Sequence, residues 1–255
     1  MGCRLIGKWL QAGVLDQGRG IYPEEGTPRG GVISPLLANS YLHYVLDCGY
    51  VERVKPRMKG RTFLVRLADD FLLGFADKAD AEKVYRVLFQ RFEKYGLRLH
   101  EAKTRLVPFA GPTESGPPSG GDGPPPGTFE FLGFTHYWGK NRQGRWVIRR
   151  KTARKGFGRR VKAINQWCRK NGHRPLREQV EMLGRKLKGH FGYYGLTGNY
   201  PALARYGWEV IKRWRKWLAR RGHPPGMPWA RRRRLLDFYY LPGPRVVHSI
   251  YAAKP

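Results

Sequence analysis

Twelve of the 19 residues from 110 to 128 are Gly or Pro. That composition supports neither a helix interior nor a central strand, because Pro lacks the amide donor and Gly loses the most backbone freedom on ordering. The chain is therefore expected to fold as two stretches, with 110–128 a flexible surface insertion between apolar segments. The stretches differ sharply in charge. Residues 1–134 hold 18 Lys/Arg against 15 Asp/Glu, whereas 135–255 hold 31 against four, so +27 of the formal +30 lies in the second. Solubility needs far less than this. A polyanionic partner is expected there, nucleic acid ahead of an anionic membrane surface.

At 41% hydrophobic residues over 255 positions, the chain can bury a core. Cys3, Cys48 and Cys168 are odd in number and widely spaced, which argues against a disulfide framework or zinc ribbon and fits a reducing, cytoplasmic setting. No apolar run approaches the roughly 18 residues of a membrane span, and no targeting signal or anchor is evident.

In the first stretch, short apolar runs at 62–67, 71–75, 97–99 and 105–109 alternate with helical patterns, predicting an α+β region with a small antiparallel sheet. Val84, Val87, Leu88, Phe92 and Tyr95 follow helical spacing, with Asp77 or Asp80 as cap and Gly96 as terminator. Beyond the insertion, a strand at 129–134 and a hairpin through 138–148 are expected to lead into three helices. Phe157/Val161/Ile164/Cys168 and Leu176/Val180/Leu183/Leu187 mark the first two, the second with Pro175 in its opening turn. Leu203, Tyr206, Val210 and Trp217 mark the third.

Four segments could carry chemistry. In Leu64-Val65-Arg66-Leu67-Ala68-Asp69-Asp70-Phe71-Leu72-Leu73, apolar strands flank two adjacent carboxylates, placing Asp69 and Asp70 at a hairpin tip. Adjacent carboxylates repel, and a hard cation such as Mg²⁺ would share their charge. Taken alone, the pair more often marks only turn chemistry. Gly26-Thr27-Pro28-Arg29-Gly30-Gly31 is a loop open to close backbone approach, followed by Ser34 as expected N-cap and Pro35 as first helical residue. Lys103 follows the packed helix, and Phe131-Leu132-Gly133-Phe134 offers an aromatic strand with one glycine. Singly, these last two read as surface charge and core.

In this order the segments resemble the reverse transcriptases encoded by bacterial group II introns. The resemblance continues through Lys186-Leu187-Lys188-Gly189-His190-Phe191-Gly192-Tyr193-Tyr194-Gly195, Thr197-Gly198-Asn199 and His248-Ser249-Ile250-Tyr251, similar to the thumb and maturase region. It implies a partial palm over 1–134 and an α-helical, RNA-binding thumb/maturase region over 135–255. Asp69 and Asp70 would hold two Mg²⁺ ions, and Lys103 would sit by the departing phosphates. Pro28, Arg29, Gly30, Gly31 and Ala68 would face template or nucleotide, and Phe131, Leu132, Gly133 and Phe134 would form the primer grip.

The implied partners are group II intron RNA, an RNA template with a DNA primer, and deoxynucleotides. Leu67 replaces the family's usual aromatic and Arg29 its common Gln. The family's first catalytic aspartate lies upstream of the segment that matches Met1 onward, so the chain is expected to be N-terminally truncated, inactive alone and dependent on a complementing upstream segment. Arg149, Arg150, Lys151, Arg154, Lys155, Arg159, Arg160, Lys186, Lys188, Lys212, Arg213, Arg215 and Lys216, together with 231–234, are expected to bind RNA phosphates. Trp146, Phe157, Trp167, Trp214 and Trp217 are expected to stack on its bases. Alternative readings are a non-enzymatic maturase-like RNA binder and a reverse transcriptase of a defence or diversity-generating system.

Overall fold

The computed structural model describes residues 4, 6–8, 14–16, 19–21, 33–111, 127–141, 143–220 and 239–249. The loop residues Pro28, Arg29, Gly30 and Gly31, the basic run 231–234, most of the Gly/Pro-rich segment, and Ile250 and Tyr251 lie outside them. The chain forms two compact units, Met1–Leu106 and Val107–Pro255. The functional division expected at 134/135 is therefore not the division in compactness. The reason is local: the strand at 129–131 pairs forward in the sequence, with the sheet of the second unit.

In the first unit, β1 (Val14–Asp16) and β2 (Arg19–Ile21) make a short antiparallel pair. Helix α1 (Ser34–Leu42) begins at Ser34, but the cap position is Ile33 and no side chain caps it, so Ser34 is the first helical residue and not the cap. With Pro35 next, the missing amide falls where it has no helical partner to lose. The helix continues in wider π-helical turns through His43–Cys48 and Tyr50–Val54, then a 3₁₀ turn at Lys55–Arg57.

Strands β3 (Thr62–Leu67) and β4 (Asp70–Phe75) form an antiparallel hairpin, and α2 (Lys78–Lys94) follows. Asp77 is the α2 cap, its carboxylate accepting the Asp80 amide at 2.9 Å. Asp80 instead is buried, accepting the Lys59 and Gly60 amides at 2.7 and 3.2 Å, which satisfies its charge away from water. Gly96 ends the helix at φ +66°, a left-handed conformation that favours glycine. Leu46, Leu88 and Phe92 form the core, with Leu64, Phe71 and Leu73 of the hairpin packed on it. The runs at 97–99 and 105–109 pair in no strand, although Leu97 and Leu99 pack on this core as side chains. Packing without a ladder partner explains the apolar character of 97–99, and Phe109 of the second run instead stacks on Trp138 and meets Phe129 edge-on.

In the second unit, β5 (Phe129–Phe131), β6 (Phe134–Lys140) and β7 (Trp146–Thr152) form an antiparallel sheet in the order β5-β6-β7. The strand expected through 134 is instead broken by a two-residue turn, with Phe131 opposite Phe134. Helices α3 (Arg154–Lys170), α4 (Leu176–Tyr194) and α5 (Tyr200–Leu218) follow, and Pro175 takes the cap position of α4. Their apolar stripes meet in one core of Ile164, Cys168, Leu183, Leu187, Phe191, Leu203, Tyr206, Val210, Trp214 and Leu218, joined by Phe134 of the sheet. Burial pushes the Cys168 thiol up to about 12, so it behaves as a small apolar group. No described helix is long and apolar enough to cross a membrane.

Candidate functional site

The β3–β4 hairpin closes with the two-residue turn Ala68-Asp69, because Leu67 pairs directly with Asp70. Asp69 thus lies in the turn and Asp70 opens β4, and both carboxylates are exposed. Ala68 adopts φ +53°, a conformation that costs a residue with a Cβ about 1 kcal/mol or more. In a two-residue turn, positive φ at the first position matches the twist of the strands it joins.

Arg66 holds that turn. Its Nε and Nη2 donate to Asp47 Oδ1 and Oδ2 at 2.9 and 2.8 Å, a bidentate pair. Its Nη1 donates to Asn39 Oδ1 and to the Ala68 carbonyl oxygen, both at 3.0 Å. The guanidinium therefore ties the turn carrying Asp69 to α1 and to the π-helical segment after it. The Arg66 hydrogen bonds hold the Asp47 carboxyl below the usual carboxylate range, against a rise from desolvation, and His43 at 3.0 Å adds to the lowering. The sequence assigns no role to Arg66 or Asp47, and places Asn39 only in the helix after the Gly-rich loop. The available signal was one charged residue inside an apolar strand, where an unpaired charge is costly.

Lys103 lies exposed in the turn at 101–103 and makes no ion pair with Asp69 or Asp70. Among the described residues, no group of three or more His, Cys, Asp or Glu gathers to hold a metal ion. Asp69 and Asp70 supply the hard oxygens a divalent ion prefers, so they fit as part of such a site.

In the second unit, Leu132 and Gly133 form the turn between β5 and β6 with φ +50° and +76°. Two left-handed residues in succession are the signature of a type I′ hairpin, and Leu at the first is unusual. The Tyr193 hydroxyl donates to the Leu132 carbonyl at 3.0 Å, fixing this turn to α4. A second tie is buried: Asn199 accepts from the Thr152 amide at 3.0 Å and donates to Thr152 Oγ1 and the Tyr194 carbonyl, both at 2.9 Å. Gly195 allows the backbone of 245–247 to approach, since a Cβ there would meet the Arg245 carbonyl and Val247 amide. Val247 and His248 both donate to its carbonyl.

The expected cations are distributed over this unit. Arg149, Arg150 and Lys151 lie on β7, Arg154, Lys155, Arg159 and Arg160 on α3, Lys186 and Lys188 on α4, and Lys212, Arg213, Arg215 and Lys216 on α5. Most are exposed, while Arg150, Arg160, Arg213 and Arg215 are half-buried. The stacking aromatics need correction. Trp214 is 0% exposed and donates Nε1 to Gln179 Oε1 at 2.9 Å, so it is core. Phe157, Trp167 and Trp217 are partly buried against the same core, and Trp217 donates to Asn165. Among the described residues of this unit the exposed aromatics are instead Tyr193, Tyr200, Trp208 and Tyr240, with Lys212 Nζ 4.5 Å from the centre of the Trp208 ring. The core residues Val210 and Trp214 lie about 200° and 240° around the same helix from Trp208, which turns Trp208 outward.

Residues 1–136 match the family model described as reverse transcriptase (RNA-dependent DNA polymerase). Over 52 residues the chain is 44% identical to an uncharacterized 91 kDa protein in the cob intron of Schizosaccharomyces pombe, a match covering 20% of this chain and 6% of that protein. Over 40 residues it is 52% identical to the group II intron-encoded protein LtrA of Lactococcus lactis subsp. cremoris, covering 16% of this chain and 7% of LtrA.

Proposed function

The chain belongs to the reverse transcriptase family, and from that premise we propose that it is the palm-and-thumb portion of a group II intron-type polymerase and maturase that acts on RNA. The observation that carries this reading is the Ala68-Asp69-Asp70 turn, which presents two carboxylates from a hairpin braced by Arg66. Asp69 and Asp70 would hold Mg²⁺, which when bound polarises the attacking hydroxyl and stabilises the leaving phosphate. Lys103 and the loop at 28–31 would face the nucleotide, and the Leu132-Gly133 turn the primer. The described residues bring two carboxylates to the tip, and a pair of divalent cations would call for further oxygen ligands. We propose that such ligands come from an upstream palm segment, and that these 255 residues alone do not extend a primer.

The test is primer extension on an RNA template, with this chain alone and with a homologous upstream segment supplied in cis or in trans. Extension that appears only on complementation supports the reading. RNA binding with no extension under either condition replaces it by a non-enzymatic RNA-binding role. In the complemented enzyme, Arg66→Lys keeps the charge but not the fork that reaches Asp47, Asn39 and the turn together. It should slow extension by about 10–100-fold while leaving primer–template affinity unchanged, as for other residues that orient a metal ligand. An unchanged extension rate would remove Arg66 from the positioning role.

We further propose that the second unit grips RNA through its phosphates. Each phosphate neutralised on a single strand steepens the dependence of log K on log salt by about 0.7. Titrating RNA affinity of the full chain between low and physiological salt should therefore give a slope several times that size. A flat response would sink the electrostatic reading.

A further inference from the structure

One cavity in the second unit has a chemistry that the core does not need. It is an open pocket of about 520 Å³, lined by the Leu132-Gly133 turn, by Arg160 of α3, by Lys186, His190 and Tyr193 of α4, and by Tyr206 of α5. Its size lies in the range of sites that receive small organic ligands. Its lining holds two cationic side chains and no acid.

Three polar atoms here are buried without a hydrogen-bond partner: Arg160 Nη1 and both ring nitrogens of His190. His190 is 7% exposed, with its ring stacked on Tyr206 at 3.6 Å and on Tyr194 at 4.7 Å between centres. Arg160 lies over the Tyr194 ring at 4.4 Å and donates to the Tyr194 hydroxyl, which leaves its other terminal nitrogen unused. Buried polar groups are almost always partnered, and each exception asks for a ligand or water to complete it. Burial, and then the Arg160 charge, push the His190 pKa down to about 4, so the ring is neutral and presents one donor and one acceptor.

These atoms restrict the occupant. A cation is repelled by Arg160 and Lys186. A fully deprotonated anion such as sulfate brings only acceptors and leaves the acceptor nitrogen of His190 unmatched. A nucleotide brings phosphate oxygens for Arg160 and Lys186, N–H groups on its base for His190, and a flat ring for the exposed Tyr193. We propose that this cavity receives one unstacked nucleotide, its phosphate on Arg160 and Lys186 and its base against Tyr193 and His190. The inference rests on the reading of the second unit as a nucleic-acid grip and adds a defined seat to it.

The test uses the full chain and a 12-nucleotide oligouridylate carrying one 5-iodouridine, irradiated and mapped by mass spectrometry. An adduct on Tyr193 or His190 is expected. Competition by unlabelled strand but not by uridine monophosphate assigns the seat to a strand, and competition by both assigns it to a free nucleotide. Arg160→Gln and Lys186→Gln should each reduce the salt slope of oligonucleotide binding by about 0.7, one phosphate contact. Lys186 is exposed, so its variant should keep the wild-type melting temperature.

His190→Phe separates a binding role from a packing one. It removes both unpartnered nitrogens, so it should keep or raise the melting temperature while lowering adduct yield at least several-fold. Adducts confined to other residues, with unchanged slopes in both cation variants, overturn the cavity assignment but leave the nucleic-acid reading standing. Failure of the full chain to bind the oligonucleotide at all overturns both.

Discussion

Asn in place of Asp69 or Asp70 should lower primer extension by about three orders of magnitude in the complemented enzyme, with the melting temperature unmoved. A metal ion contributes several kcal/mol of charge stabilisation to such a transfer, and each 1.36 kcal/mol is about tenfold in rate. Asn keeps the shape of the carboxylate but withdraws the charge that would hold the cation. Both side chains are exposed at the hairpin tip, and the Leu67–Asp70 pairing is made by backbone, so the fold has nothing to lose. Single-turnover extension with each variant, beside a thermal melt, reads both halves of the expectation. Variants that extend at the wild-type rate would show that the tip holds no catalytic cation.

The largest effect on stability should come from Trp214→Ala. Removing a fully buried tryptophan costs about 3–5 kcal/mol through lost burial and the cavity left behind. Gln179, 1% exposed, loses the partner of its Oε1 as well, which adds the penalty of an unsatisfied buried acceptor. A domain is stable by only about 5–15 kcal/mol, so the second unit should be partly or wholly unfolded. Trp208→Ala on the same helix is the control: the side chain is 56% exposed, and the change should stay within about 0.5 kcal/mol. Urea unfolding of the two variants compares them directly. Equal small losses would mean that α5 is turned about its axis relative to the arrangement described.

That pair of tryptophans marks where sequence reading worked and where it stopped. Helical period placed Leu203, Tyr206 and Val210 on one face, and all three are core. The same period taken four residues beyond Val210 reaches Trp214, and its reading as a base-stacking ring followed from the neighbouring Lys212, Arg213, Arg215 and Lys216 overriding the stripe. The hairpin was legible because apolar runs flank Asp69-Asp70 so closely that little but a two-residue turn can join them. Arg66 and Asp47 are 19 positions apart and meet only when β3 packs beside the π-helical turns, and no local pattern encodes that. The break at Leu132-Gly133 was hidden for another reason: glycine in an aromatic run reads as close packing, while a leucine at φ +50° defies the preference on which turn reading depends.

The three helices of the second unit carry 16 Lys/Arg against three glutamates. Those three, Glu178, Glu181 and Glu209, each already face an arginine four positions away, Arg174, Arg185 and Arg213. The first two pairs are exposed and worth a few tenths of a kcal/mol, the third is half-buried, and all three acids are already engaged on their own helices, so they do little to offset the remaining positive field. Such a field works against the compact state. A polyanion that binds the folded form alone reverses the sign, adding about 2.7 kcal/mol when its concentration is a hundred times its dissociation constant. If this half of the chain binds RNA as proposed, the partner's phosphates would serve as counter-ions of its fold, and its stability would rise with the RNA supplied.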